Sequence, residues 1–249
     1  MRTLVTGGRS EMGLAIAKKR KAMGDEVLVT ASSEVTLEEA QKIYSPLGIE
    51  VALFNLTEPA KGSESLLEWC RRGVEGVVFN AAPETRVLKR LHEFEESEIR
   101  AALDAHFIGN FWLLKAVLPA MMQQKFGRLV FISSMTVYGS SRYPAYALCK
   151  SGLEGLFVNV AVDYGEFNIT ANILRPGFIA TKRTERFWKR SDYLKKVADL
   201  IPMRRLGQAE DVAEAIQPML SSTCYMNGAT VNCGGGIPSV RMEALLGRS

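Results

Sequence analysis

The sequence is poor in the residues that build metal sites and disulfide frameworks. Its 249 residues include only two histidines, His92 and His106, and four cysteines, none of which forms a C-x-x-C pair. Zinc sites draw on grouped cysteine and histidine ligands, and small secreted scaffolds are dense in cysteine. We therefore expect no metal site, and we expect the cysteines to be reduced, as in a cytoplasmic protein.

Long runs of one residue class are also absent. No apolar run approaches the roughly 20 residues that a helix needs to span a bilayer. The formal net charge is a mild +4 without polybasic runs, which argues against a dedicated nucleic-acid binder. A strand pattern that begins at Arg2 leaves no room for a leader peptide. We expect a cytoplasmic protein with no membrane and no nucleic acid as partner.

What is present is an alternation of strand-like and helix-like segments. Short β-branched runs alternate with longer amphipathic stretches, and residues 128–132 are apolar enough to be buried on both faces of a sheet. This order predicts a single-domain α/β fold over residues 1–249, a doubly wound parallel sheet of the Rossmann type with helices on both faces. Ligands of such sheets bind outside the carboxyl ends of the strands. The pattern predicts strands at 3–6, 26–30, 50–54, 76–79, 128–132, 170–174 and 229–232, and helices at 11–23, 37–44, 63–72, 96–123, 143–164 and 209–220.

A glycine-containing turn, T-G-G-R-S-E-M-G from Thr6 to Gly13, lies between the first strand and the first helix. Glycine lets backbone N–H groups approach a phosphate, and the helix N-terminus favours its charge. The alternative is a connecting turn in which Ser10 caps the helix and Glu11 complements its dipole. The position directly after the first strand favours a pyrophosphate site.

A tyrosine and a lysine four residues apart indicate a proton-transfer site. Tyr146 and Lys150 fall within a predicted helix, where positions i and i+4 share a face. A nearby cation favours the phenolate and lowers the pKa of a tyrosine from about 10, as an acid that protonates a carbonyl oxygen requires. The preceding strand ends at Ser133 and Ser134, which offer a hydroxyl to the same oxygen. A surface pair is the alternative for this spacing taken alone.

Together these segments resemble the classical short-chain dehydrogenase/reductase family, and within it they are most similar to the 3-oxoacyl-[acyl carrier protein] reductases. The glycine turn resembles T-G-x-x-x-G-x-G, residues 79–82 resemble N-N-A-G, and residues 176–181 resemble the P-G-x-x-x-T segment that closes over the nicotinamide. The resemblance implies an oxidoreductase that transfers a hydride between NADP(H) and a ketone or secondary alcohol. A 3-oxoacyl thioester linked to a carrier or to CoA is one candidate substrate. The resemblance also implies a homo-oligomer, a tetramer or a dimer.

The resemblance assigns catalytic roles to Ser134, Tyr146 and Lys150. Ser133 has the commoner serine-to-tyrosine spacing, but Ser134 matches by position on the strand and is favoured. His106 stands where the family has an asparagine that helps to hold a water linking the lysine to solvent. Histidine can also donate and accept hydrogen bonds, so the relay could survive. An ordinary core histidine is the alternative.

The coenzyme is expected to be NADP(H) rather than NAD. NAD-dependent members carry an acid at the end of the second strand, where this sequence has T-A-S-S at residues 30–33. Small hydroxyls accommodate a 2′-phosphate, and Arg9 could pair with it. Glu34 argues mildly the other way, and a polar turn in solvent is the alternative. The implied coenzyme contacts are Gly7, Arg9, Ser10, Met12, Gly13, Thr30, Ser32, Asn55, Leu56, Asn80, Ala81, Tyr146, Lys150, Pro176, Gly177, Ile179 and Thr181.

Two further features bear on activity. Glu11 replaces the middle glycine of the family turn, and its charge and bulk should weaken coenzyme binding, with Arg9 offsetting part of the repulsion. The insert at about 182–205 corresponds to the family's substrate lid. Its apolar members could roof a pocket and its basic ones could meet an anionic carrier, or it could be an amphipathic helix with a solvated charged face. The apolar members are Phe187, Trp188, Tyr193, Leu194, Val197 and Leu200, and the basic ones are Lys182, Arg183, Arg186, Lys189, Arg190, Lys195 and Lys196.

Two rival interpretations remain open at the sequence level. One is a non-redox relative, similar to halohydrin dehalogenases or to epimerases, which Glu11 keeps open and Lys150 argues against. The other is a degenerate member that binds a nucleotide without chemistry, which the intact set of Ser134, Tyr146 and Lys150 argues against.

Overall fold

Seven short segments form one parallel sheet in the computed structural model, which describes residues 1–83, 87–189 and 191–237. The strands are β1 (Arg2–Val5), β2 (Glu26–Ala31), β3 (Glu50–Leu53), β4 (Gly76–Phe79), β5 (Gly127–Ile132), β6 (Ile169–Pro176) and β7 (Thr230–Cys233). Their order across the sheet is β3-β2-β1-β4-β5-β6-β7, and every neighbouring pair is parallel. The predicted doubly wound parallel sheet is confirmed, and its strand order reverses between β1 and β4, where such sheets bind ligands.

The helices of the described chain cover both faces of the sheet. They are α1 (Glu11–Ala22), α2 (Glu34–Tyr44), α3 (Glu64–Arg71), α4 (Glu96–Leu103), α5 (Gly109–Gln124), α6 (Pro144–Asp163), α7 (Ser191–Leu200) and α8 (Ala209–Ala215). Successive strand residues point to opposite faces. Leu4 therefore packs with α3, α5 and α6 residues in one core, and Val5 packs with α1 and α8 residues in another.

The central strands explain why the sheet is parallel. Every residue of β4 and β5 is buried, because helices cover both faces of the sheet there.

Among the described residues, no helix is long and apolar enough to cross a membrane, and no group of three or more potential metal ligands occurs.

The long helix expected at 96–123 is confirmed, since the chain is helical from Glu96 to Gln124, but it contains a turn that the sequence did not indicate. It divides into α4 and α5 at a π-helical turn, Asp104–Ile108. Gly109 follows this turn, and a Cβ there would lie 2.2 Å from the backbone oxygen of Leu56, so the helix can approach that loop only at a glycine. The Asn110 side-chain amide donates to the His106 carbonyl at 2.8 Å. Turns of this kind are frequent at functional sites, and this one contains His106.

Candidate active site

The glycine loop is closed on itself by Ser10. The backbone N–H of Gly13 donates to Ser10 Oγ at 3.0 Å, and the Ser10 hydroxyl donates to the carbonyl of Gly7 at 2.9 Å. The amides of Glu11 and Met12 precede Gly13 in the same first turn and have no partner within the helix itself. A Cβ on Gly13 would lie 2.4 Å from the Gly7 oxygen, so only glycine permits this closure. The loop therefore has the shape and donors that a pyrophosphate requires.

The end of β4 is tied to the glycine loop. Asn80 Nδ2 donates to the carbonyl of Thr6 at 2.9 Å and to Ser10 Oγ at 3.0 Å. The backbone amides of Asn80 and Ala81 both donate to Thr6 Oγ1 at 3.0 Å. Two of the predicted coenzyme contacts thus hold the two sides of the switch point together.

The residues predicted for the adenosine side have different environments. Thr30 is buried, and its hydroxyl accepts the amide of Gly7 at 3.1 Å, so it shapes the loop. Ser32 is exposed at the end of β2. Arg9 is half exposed and forms an ion pair with Glu39 of α2 at 2.9 Å. The guanidinium therefore lies against α2, the helix that follows β2, and no acidic residue ends that strand.

Two predicted contacts lie in the loop after β3. Asn55 Oδ1 accepts hydrogen bonds from the backbone amide of Thr57 at 3.0 Å and from its hydroxyl at 2.9 Å. Leu56 is buried beneath the π turn, against the backbone of Gly109. The first shapes the turn, and the second connects this loop to the helix that carries His106.

The structure brings Tyr146, Lys150 and His106 together. The Lys150 ammonium is buried, donates to the Ile132 carbonyl at 2.9 Å and lies 5.7 Å from the centre of the Tyr146 ring. The His106 and Tyr146 rings meet edge to face with their centres 5.5 Å apart. A buried cation beside a half-buried phenol stabilises negative charge on the phenol oxygen. This arrangement suits a tyrosine that gives up and regains a proton.

The two serines at the end of β5 have different roles in the structure. Ser133 is 5% exposed, and its hydroxyl donates to the carboxylate of Glu154. Ser134 is half-buried and begins the 3₁₀ turn Met135–Tyr138, where its Oγ accepts the amide of Thr136 at 3.2 Å. Because Ser134 accepts this bond, its hydroxyl proton remains able to reach a ligand oxygen. The geometry favours Ser134 over Ser133 for that task.

A buried thiol next to the lysine is not a candidate nucleophile. Cys149 donates its thiol proton to the carbonyl of Ala102 at 3.4 Å, and burial raises the pKa of this thiol to about 11. Burial also raises the pKa of Cys70 to about 12. The four cysteines are free, as expected from the sequence.

The segment after β6 packs closely against the C-terminal strand. A Cβ on Gly177 would lie 2.8 Å from the Cα of Gly234, which explains the glycine. Pro176 ends β6, and Ile179 pairs with Gly207 in an isolated parallel bridge. Thr181 is buried, and its carbonyl accepts the Trp188 indole N–H at 3.1 Å. The predicted coenzyme segment is therefore held against β7 and the start of the insert.

The Glu11 carboxylate has a partner that the sequence did not indicate. Its Oε1 accepts the backbone amide of Lys182 at 2.8 Å. Arg183 Nη2 donates to the carbonyl of Ala82, after β4, at 2.6 Å. The start of the insert is thus hydrogen-bonded to the glycine loop and to the chain that follows β4. No local pattern announces a contact between residues 171 positions apart.

The insert combines a buried apolar side with an exposed basic side. Val197 is buried in a small core with Met135, Phe178, Ile201 and Leu206, on which other insert residues pack. Lysines 182, 189, 195 and 196 are exposed. This distribution fits an amphipathic helix. Trp188 and Leu200 pack on the small core and Leu194 is exposed, whereas the side chains of Arg186, Phe187, Arg190 and Tyr193 lie outside the described residues.

Sequence reasoning missed several residues around this centre. Tyr143 lies 6.4 Å from Tyr146 between ring centres, and Asn110 binds the carbonyl of the π turn. Glu154 and Arg175 form a buried ion pair beside Ser133. An ionisable residue on the core side of a helix, as Glu154 is, was the one signal available for that pair.

Comparisons with known proteins agree with this geometry. A sequence model of the family described as enoyl-(acyl carrier protein) reductase matches residues 7–238. The 3-oxoacyl-[acyl-carrier-protein] reductase FabG of Escherichia coli (strain K12) is 34% identical over 242 residues, covering 94% of this chain and 96% of that protein.

Solved structures share the fold. A short-chain type dehydrogenase/reductase from Mycobacterium ulcerans superposes with a TM-score of 0.88 at 24% identity, covering 97% of this chain and 91% of that one. YwfH, an NADPH-dependent reductase involved in bacilysin biosynthesis, superposes with a TM-score of 0.84 at 20% identity, covering 95% and 98% of the two chains. At these identities the likeness concerns the fold.

Proposed function

Since the chain belongs to the short-chain dehydrogenase/reductase family, we propose that it is an NADP-dependent oxidoreductase that interconverts a ketone and a secondary alcohol. The observation that carries this proposal is the buried Lys150 ammonium, which lies 5.7 Å from the centre of the Tyr146 ring. The His106 ring contacts the same tyrosine edge to face. These three side chains lie at the carboxyl edge of the sheet, where the closed glycine loop also lies.

The residues of the chain divide the work around the carbonyl group. Bound NADPH supplies the hydride. Tyr146 delivers the proton to the carbonyl oxygen, and Ser134 donates a hydrogen bond to the same oxygen. Lys150 stabilises the phenolate that remains, and His106, in contact with Tyr146, assists proton return from solvent.

The coenzyme would be held by the closed glycine loop and the segments around it. The pyrophosphate would lie against Gly7, Gly13 and the amide of Met12. The tight loop depends on both glycines, because a Cβ on either would meet backbone atoms at 2.8 Å or less. Arg9 would pair with the 2′-phosphate, exchanging Glu39 for it, while Ser32 contributes a hydroxyl. Further contacts come from Ser10, Thr30, Asn55, Leu56, Asn80, Ala81, Pro176, Gly177, Ile179 and Thr181.

For the substrate, we propose a 3-oxoacyl thioester carried by a protein or by CoA. The 34% identity to FabG over most of both chains supports this class. The insert, with its apolar core and exposed lysines, would serve as the lid and meet the anionic carrier. We further propose a homo-oligomer, a tetramer or a dimer, and a reducing cytoplasmic location consistent with four free cysteines.

The proposal is tested by coenzyme titration and a substrate panel. Fluorescence titration should show tighter binding of NADPH than of NADH, and ketones and β-ketoacyl thioesters should then be reduced. Tyr146→Phe should lower kcat by about 10²–10⁴-fold, as expected for loss of a general acid. Tyr164→Phe, at the end of the same helix, is the matched control and should retain activity. Near-full activity of Tyr146→Phe would contradict the assignment.

A further inference from the structure

A largely buried ion pair connects two walls of the proposed site. Glu154 lies in α6 one turn beyond Lys150, and Arg175 lies near the end of β6, with side chains 10% and 17% exposed. Arg175 Nε donates to Glu154 Oε1 at 2.8 Å, and Nη2 donates to Oε2. A guanidinium that binds both oxygens of one carboxylate fixes the orientation of the two groups as well as their separation. The hydrogen bonds to Glu154 raise the pKa of Arg175 above its ordinary value.

Further hydrogen bonds extend this pair into a cluster. The Ser133 hydroxyl donates to Glu154 Oε1. Arg175 Nη1 donates to the Tyr138 hydroxyl at 2.6 Å, and its Cζ lies 4.7 Å from the centre of that ring. The Tyr138 hydroxyl is also 3.2 Å from both amide atoms of Asn232 in β7. The cluster thus joins β6, β7, α6 and the segment after β5.

Three members of the cluster lie close in the chain to residues of the proposed site. Ser133 immediately precedes Ser134, and Arg175 immediately precedes Pro176, where the proposed nicotinamide segment begins. Glu154 lies on the same buried side of α6 as Lys150. A shift of the ion pair would therefore move the serine hydroxyl, the segment after β6 and the catalytic helix relative to one another.

We propose that Glu154 and Arg175 are positioning residues that hold the Ser134 hydroxyl and the segment after Pro176 in register with Tyr146. This inference rests on the proposed function, because it concerns the geometry of that reaction. A buried pair gives little net stability compared with apolar packing, but it imposes direction, which apolar contacts do not. Neither residue touches the reacting atoms.

The test compares Glu154→Gln with a matched buried pair elsewhere. Arg20 and Asp25 form an ion pair at 2.7 Å with both side chains 4% exposed, next to the amino-terminal end of β2. Both Glu154→Gln and Asp25→Asn should lower the melting temperature, since each leaves a buried charge unpaired. Only Glu154→Gln should lower kcat, by about 10- to 100-fold, as a small misplacement of reacting groups does.

The kinetic readouts separate positioning from loss of structure. Below the melting temperature of each variant, Glu154→Gln should leave the NADPH dissociation constant near that of the unsubstituted protein. The isotope effect with coenzyme deuterated at the transferred hydrogen should rise, because hydride transfer becomes limiting. Arg175→Lys, which keeps the charge and loses the two-oxygen contact, should lower kcat in the same direction. Arg175→Lys also tests the proposal if Glu154→Gln does not fold. Unchanged kcat in the folded variants would overturn the proposal.

Amide hydrogen exchange tests the positioning role independently of catalytic turnover. In the coenzyme-free protein, Glu154→Gln should speed exchange in residues 133–138 and 176–181 together, and Asp25→Asn should leave both segments protected. Equal protection in all three proteins would refute the positioning role. Absence of any reductase activity in the unsubstituted protein would instead refute the proposed function. The exchange result would then still decide whether Glu154 and Arg175 hold residues 133–138 and 176–181 in place.

Discussion

The sharpest single perturbation of the proposed coenzyme site is Gly13→Ala. A Cβ at this position would lie 2.4 Å from the Gly7 oxygen and 3.1 Å from Asn80 Nδ2, whereas real Cβ contacts essentially never fall below 3.0 Å. Relief requires a movement of about 0.6 Å between the start of α1 and Gly7. Neither partner is the flexible end of a long side chain, so the loop itself has to move.

The expected cost follows from the overpacking of a tight site. Extra methyl groups forced into well-packed positions cost about 1–3 kcal/mol. If that cost falls on the coenzyme-binding form of the loop, the NADPH dissociation constant rises between about 5- and 150-fold, since 1.4 kcal/mol corresponds to a factor of ten. Fluorescence titration of NADPH measures the dissociation constant, and thermal unfolding shows how much of the strain the free protein bears.

Gly155→Ala is the matched control in the same chain. Gly155 lies on the exposed side of α6, and a Cβ there would meet no atom within 4 Å. Alanine is favoured over glycine in a helix by about 1 kcal/mol, so this variant should be at least as stable and should bind NADPH normally. Gly13→Ala with both an unchanged dissociation constant and an unchanged melting temperature would show that the loop does not hold the pyrophosphate in this geometry.

Three further predictions concern coenzyme preference, the contact of Glu11 with the insert and the buried thiols. Ala31→Asp, at the end of β2, should reverse the preference for NADPH over NADH through repulsion of the 2′-phosphate. Tighter NADH binding by the unsubstituted protein would contradict this. Glu11→Gly should tighten NADPH binding because it removes a carboxylate from the loop. It should also release the insert, because the Lys182 amide donates a hydrogen bond to that carboxylate. Glu11→Gln keeps an acceptor without the charge and so separates the two effects. Cys70 and Cys149, whose raised pKa values keep the thiols protonated, should resist iodoacetamide at pH 8 until the protein unfolds, as mass spectrometry would reveal.

Much of the fold follows from local pattern. The strands were predicted to within two residues at either end because short β-branched apolar runs differ from the longer amphipathic stretches between them. The first helix begins at Glu11, after the Ser10 cap, as expected. The pairing of Tyr146 with Lys150 was predictable for the same kind of reason, since helix geometry alone brings positions i and i+4 to one face.

The limits of local pattern are visible at particular residues. The helix predicted over 96–123 is present, but the π turn within it, which contains His106 and lies beside the close approach of Gly109 to Leu56, was not predicted. Periodicity in the helix sequence carries no information about the loop that crosses it. The proposed preference for Ser134 over Ser133 rests on a contact between distant segments, because the Ser133 hydroxyl donates to Glu154.

The sequence by itself determined the elements, their alternation and the i, i+4 pair of the proposed reaction centre, because these depend on interactions between near neighbours along the chain. Only the tertiary structure decided that Glu11 accepts a hydrogen bond from Lys182 and that Glu154 pairs with Arg175. Such contacts depend on the order of strands in the sheet, which brings distant segments together at its carboxyl edge. A hydrogen bond between residues far apart in the chain leaves no periodic signal in either segment, so their roles become readable only once the sheet has formed.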